Sequence, residues 1–580
     1  MFVILHFTHS DRERAKTPTL FHFPLKTLAW IGAGLCLIPI VAVGYSALGG
    51  TFETWIGLWD TVMPRYIWNT VQLALFVAVG TAATGTGAAW LVTMCRFPGS
   101  RILEIVLALP LAFPAYVLAY AYTDLLDHPG AVQTALRAVT GWGPRDYWFP
   151  EIRSLPGAAL MLIFVLYPYV YLLARAAFLR QSPTAYFAAR TMGHGPWSAF
   201  FRVSLPVARP AIAGGTILAM METIADYGTV AHFGVQTFAT GIYQAWFSMG
   251  DRAAASQLAF CLMVTALFLV LLEVKQRGGA KQYNAGNRVE AMMAHHLGGW
   301  RAALAILACL IPVLCGFAIP LVVLFEMAIK SGQNPFEGRY LDFVQNSLIL
   351  ASVAAVLTVI GATIVGYRMR LAPGRAAAIT KTLSGIGYAL PGSVVAVGLL
   401  VPFAQLDNTV DAFMREHFGI STGLLITGSI ALLVMTYIVR FMAAALSAFD
   451  TGISQIKPNV DAVARTLGSG TFGMLRRVHM PLMRASLLTA VLIVFVDTMK
   501  ELPATLILRP FNFNTLAVQA HRLASDERLA QAAVPSLVIV AFGLLPVILL
   551  CRSIAQTQQM HVSTRAELPL ASDTIVEKTA

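Results

Sequence analysis

Ala188-Ala189-Arg190-Thr191-Met192-Gly193 leads on to Val203-Ser204-Leu205-Pro206, and Ala464-Arg465-Thr466-Leu467-Gly468 leads on to Val478-His479-Met480-Pro481. The glycine and the proline are 13 positions apart in both copies. Each copy is a polar, basic island between long apolar runs, and two equal islands predict two equal halves.

The surrounding composition sets the class. Of 580 residues 57% are hydrophobic and 12% charged, with a mean hydropathy of +0.68, whereas soluble domains carry about 25% charged residues. A membrane-spanning helix needs about 20 mainly apolar residues. Twelve such stretches begin near Thr27, Asn69, Ile102, Gly157, Ala208, Gln257, Ala302, Asn346, Ile379, Gly423, Ala485 and Ala533. The chain therefore reads as an all-α membrane protein of about twelve transmembrane helices. With the N-terminus inside, the cytoplasmic pieces are 1–26, 95–101, 175–209, 275–301, 368–381, 440–484 and 552–580, and they hold about 29 of the 41 Lys and Arg. The net charge of +12 is thus a positive-inside signal, with membrane lipid as the contact and no call for nucleic acid.

The six cysteines lie in or at the ends of apolar runs without metal-type spacing and read as small buried hydrophobes. No cleavable signal peptide is expected, because Met1–Phe7 is too short for an apolar core and Asp11–Lys16 follows. The expected organisation is a cytoplasmic arm (1–26), a first repeat (27–274), a cytoplasmic linker (275–301), a second repeat (302–553) and a cytoplasmic tail (554–580). The tail is polar and poor in aromatics, a disorder composition. Adjacent His295 and His296 in the linker read as incidental. Pro110 and Pro114 interrupt the third span, and Pro391-Gly392 its counterpart; broken helices need neighbouring protein or a cavity to satisfy the freed backbone groups. Between the third and fourth spans, Thr123–Leu155 is an outer loop rich in Trp and Tyr, which either receives a partner protein or caps helix ends.

The repeat extends well beyond the islands. Asn69 matches Asn346 and Pro114 matches Pro391 at an offset of 277, while Gly193 matches Gly468 and Pro206 matches Pro481 at 275. Past the proline a gap-free register pairs Glu222 with Asp497, Asp226 with Glu501, Thr240 with Thr515 and Asp251 with Asp526. Six spans per half is an even number, so the halves run parallel, and a pseudo-twofold axis along the membrane normal places a substrate route between them.

The pattern Ala-Ala-x-x-x-Gly, nine residues, a branched apolar residue, x and Leu-Pro resembles the coupling loop of binding-protein-dependent ABC importer permeases of type I. Ala188, Ala189, Gly193, Val203, Leu205 and Pro206 carry it in the first half, and Ala464, Gly468, Val478 and Pro481 in the second, where Met480 replaces the Leu. The family's initial Glu is absent, its positions holding Phe187 and Ala462, with Asp461 next door. Glu222-Thr-Ile-Ala-Asp226-Tyr-Gly-Thr, Gly241-Ile-Tyr-Gln-Ala-Trp246 and Lys500-Glu501-Leu502-Pro503-Ala504-Thr505 narrow the resemblance to fused two-domain permeases of the ferric-iron importer group. Related permeases carry thiamine, polyamines or phosphonates.

The resemblance implies a bacterial inner-membrane, multi-pass importer subunit with both termini cytoplasmic. Its partners would be two copies of an ABC ATPase subunit, which hold ATP and Mg, and a periplasmic or extracytoplasmic substrate-binding protein. A loop that turns at a glycine and re-enters the membrane at a proline suits force transmission; Arg190 and Arg465, at equivalent positions, either pair with acidic groups of the ATPase or only enforce topology and bind lipid headgroups. The chain itself has no Gly-x4-Gly-Lys-Ser/Thr phosphate loop and no recognisable catalytic motif, so no cofactor and no enzyme activity are expected of it.

Glu222 and Asp226 are four residues apart, as are Asp497 and Glu501, so each pair is expected to share one helix face. At about 1.5 Å per residue both lie roughly 24–30 Å beyond Pro206 and Pro481, toward the outer side. Together they are a possible substrate pathway, a carboxylate ring suited to a hard cation held weakly in transit with no stable metal site. The competing reading is structural or solvated carboxylates, with Lys500 neutralising Asp497. From another class, an ion-coupled secondary transporter would use the same acids for proton or sodium coupling.

Overall fold

The computed structural model describes residues 22–49, 52–179, 181, 189, 191–193, 195–278, 295–333 and 338–566. Among them ten helices are long and apolar enough to cross a membrane, and two further helix pairs, bent by 93° and 80°, bring the number to twelve. The first half runs through His22–Leu48, Met63–Met94, a broken third span, Leu155–Leu179, Leu205–Ala225 and Arg252–Gly278. The second runs through Gly299–Ser331, Gly338–Leu371, a ninth span that continues past Pro391 as Gly392–Phe418, Ile430–Ser454, an eleventh span formed by the pair Thr471–Leu482 and Arg484–Met499 bent by 80°, and Leu529–Ala566.

The breaks follow from proline chemistry. Phe113 (φ −86°, ψ 129°) and Leu390 (φ −91°, ψ 131°) are extended, as the residue before a proline must be when the ring crowds its backbone. Each closes a single 3-10 turn, Leu109–Ala112 or Ile386–Ala389, and Pro114 or Pro391 then starts the next helix. The turns repeat at the same offset of 277 as the prolines.

The halves interlock through their first spans. The first span packs on the second half, where Gly398 lies so close that a Cβ there would fall 2.6 Å from the Pro39 carbonyl oxygen. The seventh packs on the first half: the Tyr122 hydroxyl donates to the Cys315 carbonyl at 2.8 Å, and Phe317 meets Phe113 edge-on at 5.6 Å. Between lipid-exposed helices such close small-residue contacts supply the packing that hydrophobicity cannot.

Three local expectations are corrected. The tenth span starts at Ile430 rather than near Gly423, because the amides of Thr422, Gly423, Ile426 and Thr427 are bound to the carboxylates of Asp411 and Asp407. The twelfth helix continues to Ala566, so residues 554–566 of the tail are helical; extending an existing helix requires no new nucleation. The register past Pro206 contains a three-residue shift. Asn69 donates to the Gln236 carbonyl and Asn346 to that of Asn514, and the helices that follow are capped by Thr237 and Thr515. Thr515 therefore corresponds to Thr237, not Thr240.

Candidate functional site

The fifth span ends at Ala225 and the eleventh at Met499, so Asp226 and Glu501 lie beyond their helices and the one-face expectation fails. Both instead cap the short helix that follows, where unpaired N–H groups and the helix dipole attract a carboxylate. Asp226 accepts from the Thr229 amide and hydroxyl, each at 3.0 Å, and from the Val230 amide at 3.2 Å. Glu501 accepts from the amides of Ala504 (3.0 Å) and Thr505 (3.2 Å), from Arg440 Nη1 at 3.1 Å and from the Tyr437 hydroxyl at 3.3 Å.

Glu222 and Asp497 remain on the last turn of their helices. Asp497 pairs with Lys500 Nζ at 2.9 Å. Among the described residues Glu222 has no hydrogen bond or ion pair. All four carboxylates line one cavity of about 140 Å³ between the halves, with Arg440, Lys500 and the phenols of Tyr116, Tyr169, Tyr227 and Tyr388. Four carboxylates against two cations leave two formal negative charges, and the polar lining is dominated by oxygen, the donor that hard cations prefer. Among the described residues no group of three or more His, Cys, Asp or Glu is gathered tightly enough to hold a metal ion. Arg440 and the tyrosines are absent from the sequence reading. Arg440, an ionisable residue within an apolar span, carried the usual signal of an intramembrane functional group; comparison of the halves hides it, because the equivalent position is Val165.

Beyond this cavity, away from the islands, the halves are in direct contact. The Tyr116 hydroxyl donates to the Lys500 carbonyl at 3.3 Å, that of Tyr243 to the Pro503 carbonyl, and Tyr120 meets His521 Nδ1 at 3.3 Å. Arg153 adds a fork to Glu527, with Nη1 to Oε1 at 2.6 Å and Nη2 to Oε2 at 2.8 Å. The donors of Arg153 hold the Glu527 carboxyl below the usual range.

At the islands, Ala188 and Arg190 lie outside the described residues. Ala189 and Ala464 are both buried. Gly193 (φ +86°) and Gly468 (φ +77°) both adopt the left-handed conformation that favours glycine. The residue just before each, Met192 or Leu467, is 71% or 79% exposed, an apolar side chain presented outward at equivalent places. Arg465 is exposed beside Leu467. Each island ends in a π-turn, Phe200–Ser204 or Leu475–His479. Leu205 and Met480 follow, bonding five residues back. Pro206 and Pro481 explain the turn, since a proline ring collides with the carbonyl four residues earlier and cannot donate to it.

The second island has an additional anchor. Asp461 accepts from Arg370 Nε at 2.9 Å and Nη2 at 3.1 Å, and meets buried His479 Nε2 at 3.0 Å. Burial pushes its carboxyl up, but the Arg370 and His479 bonds outweigh this and hold it below the usual carboxylate range. Its stabilising contribution is therefore present above the unfolded carboxylate pKa and lost as pH falls through the lower folded value. Asp461→Ala leaves the partly buried Arg370 guanidinium and the buried His479 ring without their acceptor and is expected to cost roughly 1–3 kcal/mol, read as a fall in the thermal midpoint of the purified chain, while Asp461→Glu retains most of it.

Residues 82–275 match the family described as the binding-protein-dependent transport system inner membrane component. The Fe(3+)-transport system permease protein FbpB 2 of Haemophilus influenzae is 24% identical over 529 residues, covering 90% of this chain and 96% of that protein. The probable ABC transporter permease protein y4fN of Sinorhizobium fredii is 23% identical, covering 90% and 94%. The sulfate transport system permease protein CysW of Escherichia coli is 30% identical over 207 residues, covering 35% of this chain and 67% of that protein.

Proposed function

Because the chain belongs to the family of binding-protein-dependent transport system inner membrane components, we propose that it is the fused permease of an ATP-driven importer for ferric iron, with residues 27–274 and 302–553 as its two halves. A separate ATPase, two subunits holding ATP and Mg, grips the two islands on the cytoplasmic face. A substrate-binding protein delivers cargo at the opposite face. Closure of the ATPase moves the islands, the contacts of Tyr116, Tyr243 and Arg153 with the second half part, and the carboxylate cavity alternates between the two sides.

The observation that carries this reading is one oxygen-lined cavity between the halves, together with two islands whose described parts match, Gly193 with Gly468 and Phe200–Ser204 with Leu475–His479. Its two excess negative charges favour a cation and oppose an oxyanion such as sulfate, which the CysW relative is named for. The name of the FbpB relative, which aligns over most of both chains, supports ferric iron as the cation. Glu222, whose carboxylate has no described partner, would meet the ion directly; Asp497 would do so on exchange with Lys500. Asp226 and Glu501 hold the short helices that frame the cavity.

The test is uptake of labelled ferric iron into proteoliposomes holding the chain, its ATPase and its binding protein. Iron uptake with ATP hydrolysis, and no sulfate uptake, is expected. Uptake of an oxyanion by the same assembly would overturn the cargo assignment.

A further inference from the structure

The third and fourth spans of the first half, and their counterparts in the second, are each joined by an ion pair near the island face, and the two pairs have opposite polarity. In the first half Arg175 Nε donates to Glu104 Oε1 at 2.8 Å, and Nη2 reaches the same oxygen. Both side chains are nearly buried, and the Tyr171 hydroxyl donates to the Glu104 carbonyl at 2.5 Å. In the second half Lys381 Nζ meets Asp450 Oδ2 at 2.6 Å, with both side chains about one-third exposed. Glu104 and Lys381 are related by the offset of 277 that relates Pro114 to Pro391, and Arg175 and Asp450 by the 275 that relates Gly193 to Gly468. The acid therefore stands on the third span in one half and on the equivalent of the fourth span in the other.

Two unrelated ion pairs would not be expected at matched positions of a diverged repeat. Inversion changes both residues yet leaves the bond, so what the halves share is the link between the two spans and not a residue type. Each end of the link has a consequence. Arg175 and Asp450 lie one turn before the ends of their helices at Leu179 and Ser454, on the arms that lead into the islands. Glu104 and Lys381 lie on helices that run into the 3-10 breaks, and Phe113, Pro114 and Tyr388 at those breaks line the cavity.

We propose that Glu104–Arg175 and Lys381–Asp450 are positioning struts that carry movement of each island to the broken span lining the cavity. The inverted polarity makes them specific to their own half: a crossed pairing would set Glu104 against Asp450 and Lys381 against Arg175, like charges in both cases. The inference rests on the reading of the islands as ATPase-coupling loops.

The experiment measures cargo moved per ATP hydrolysed in proteoliposomes holding the full chain, the ATPase and the binding protein. Lys381→Glu sets two acids together at a site about one-third exposed, and Lys381→Glu with Asp450→Lys restores a bond of the first half's polarity. The single variant is expected to lower the cargo-to-ATP ratio about tenfold, and the double variant to recover it to within about threefold. A purely structural bond would change the thermal midpoint and leave the ratio of the folded protein at the wild-type value. Glu104→Arg with Arg175→Glu repeats the comparison in the buried pair. A wild-type ratio in Lys381→Glu, or no recovery in the double variant, overturns the struts alone. Wild-type uptake that continues with the ATPase inactive overturns both the struts and the coupling-loop reading.

Discussion

Gly468→Pro is expected to separate ATP hydrolysis from uptake, lowering ATP-driven transport by about 10- to 100-fold while the chain still inserts and folds. Gly468 has φ +77° and Gly193 has φ +86°, and among the described residues, chain neighbours aside, no atom lies within 4 Å of where a Cβ would stand at either. Space is therefore not the constraint; backbone conformation is. Alanine in the left-handed region costs roughly 1–2 kcal/mol, whereas proline, fixed near −65°, is excluded from it. The proline variant must re-aim the segment that presents Leu467 and Arg465, and the alanine variant should retain most coupling. Both glycines are exposed, so the loss should show in uptake and coupled hydrolysis and not in yield or thermal midpoint. Normal transport by Gly193→Pro and Gly468→Pro together would contradict the assignment of the islands.

Glu222→Gln combined with Asp497→Asn should reduce cation uptake at least about tenfold, since two carboxylates facing the cavity are neutralised without removing a helix cap; the stability cost should be limited to the partly exposed Asp497–Lys500 pair, about 1 kcal/mol or less. Asp226→Asn and Glu501→Gln should behave in the opposite way. Each weakens a cap, and Glu501→Gln also strips Arg440 of its counter-charge, so a fall of about 1–3 kcal/mol in stability should accompany any loss of uptake. Uptake kinetics and thermal unfolding of the four variants distinguish the two classes. Unchanged kinetics in the Glu222 and Asp497 double variant would remove the cavity from the cation's route.

The span count, the parallel repeat and the two islands were legible because each rests on local composition or spacing: apolar length, matched prolines, glycine at a turn. The carboxylates were legible as residues but not in their division of labour. A spacing of four implies one helix face only if the helix continues, and it stops at Ala225 and Met499, where Thr229 and Thr505 offer Asp226 and Glu501 hydroxyl and amide donors. Arg440 and Tyr169 were hidden because they have no counterpart in the other half, so the repeat that exposed Glu222 and Asp497 diverted attention from them. The exchange of first spans was beyond reach for another reason. Apolar composition assigns a helix to lipid without saying which neighbour it touches, and Gly398 against Pro39 is a contact that no periodicity encodes. The ion pairs of opposite polarity were missed because comparing halves by residue identity passes over Glu104 and Lys381 as a mismatch.

The most direct test of a transport subunit driven from outside its own chain is ferric-iron uptake by the reconstituted assembly, with the ATPase inactivated in one sample and the proton gradient collapsed in another. Uptake should stop in the first and persist in the second. Uptake that survives loss of the ATPase and vanishes with the proton gradient would contradict the account and mark the chain as an ion-coupled carrier.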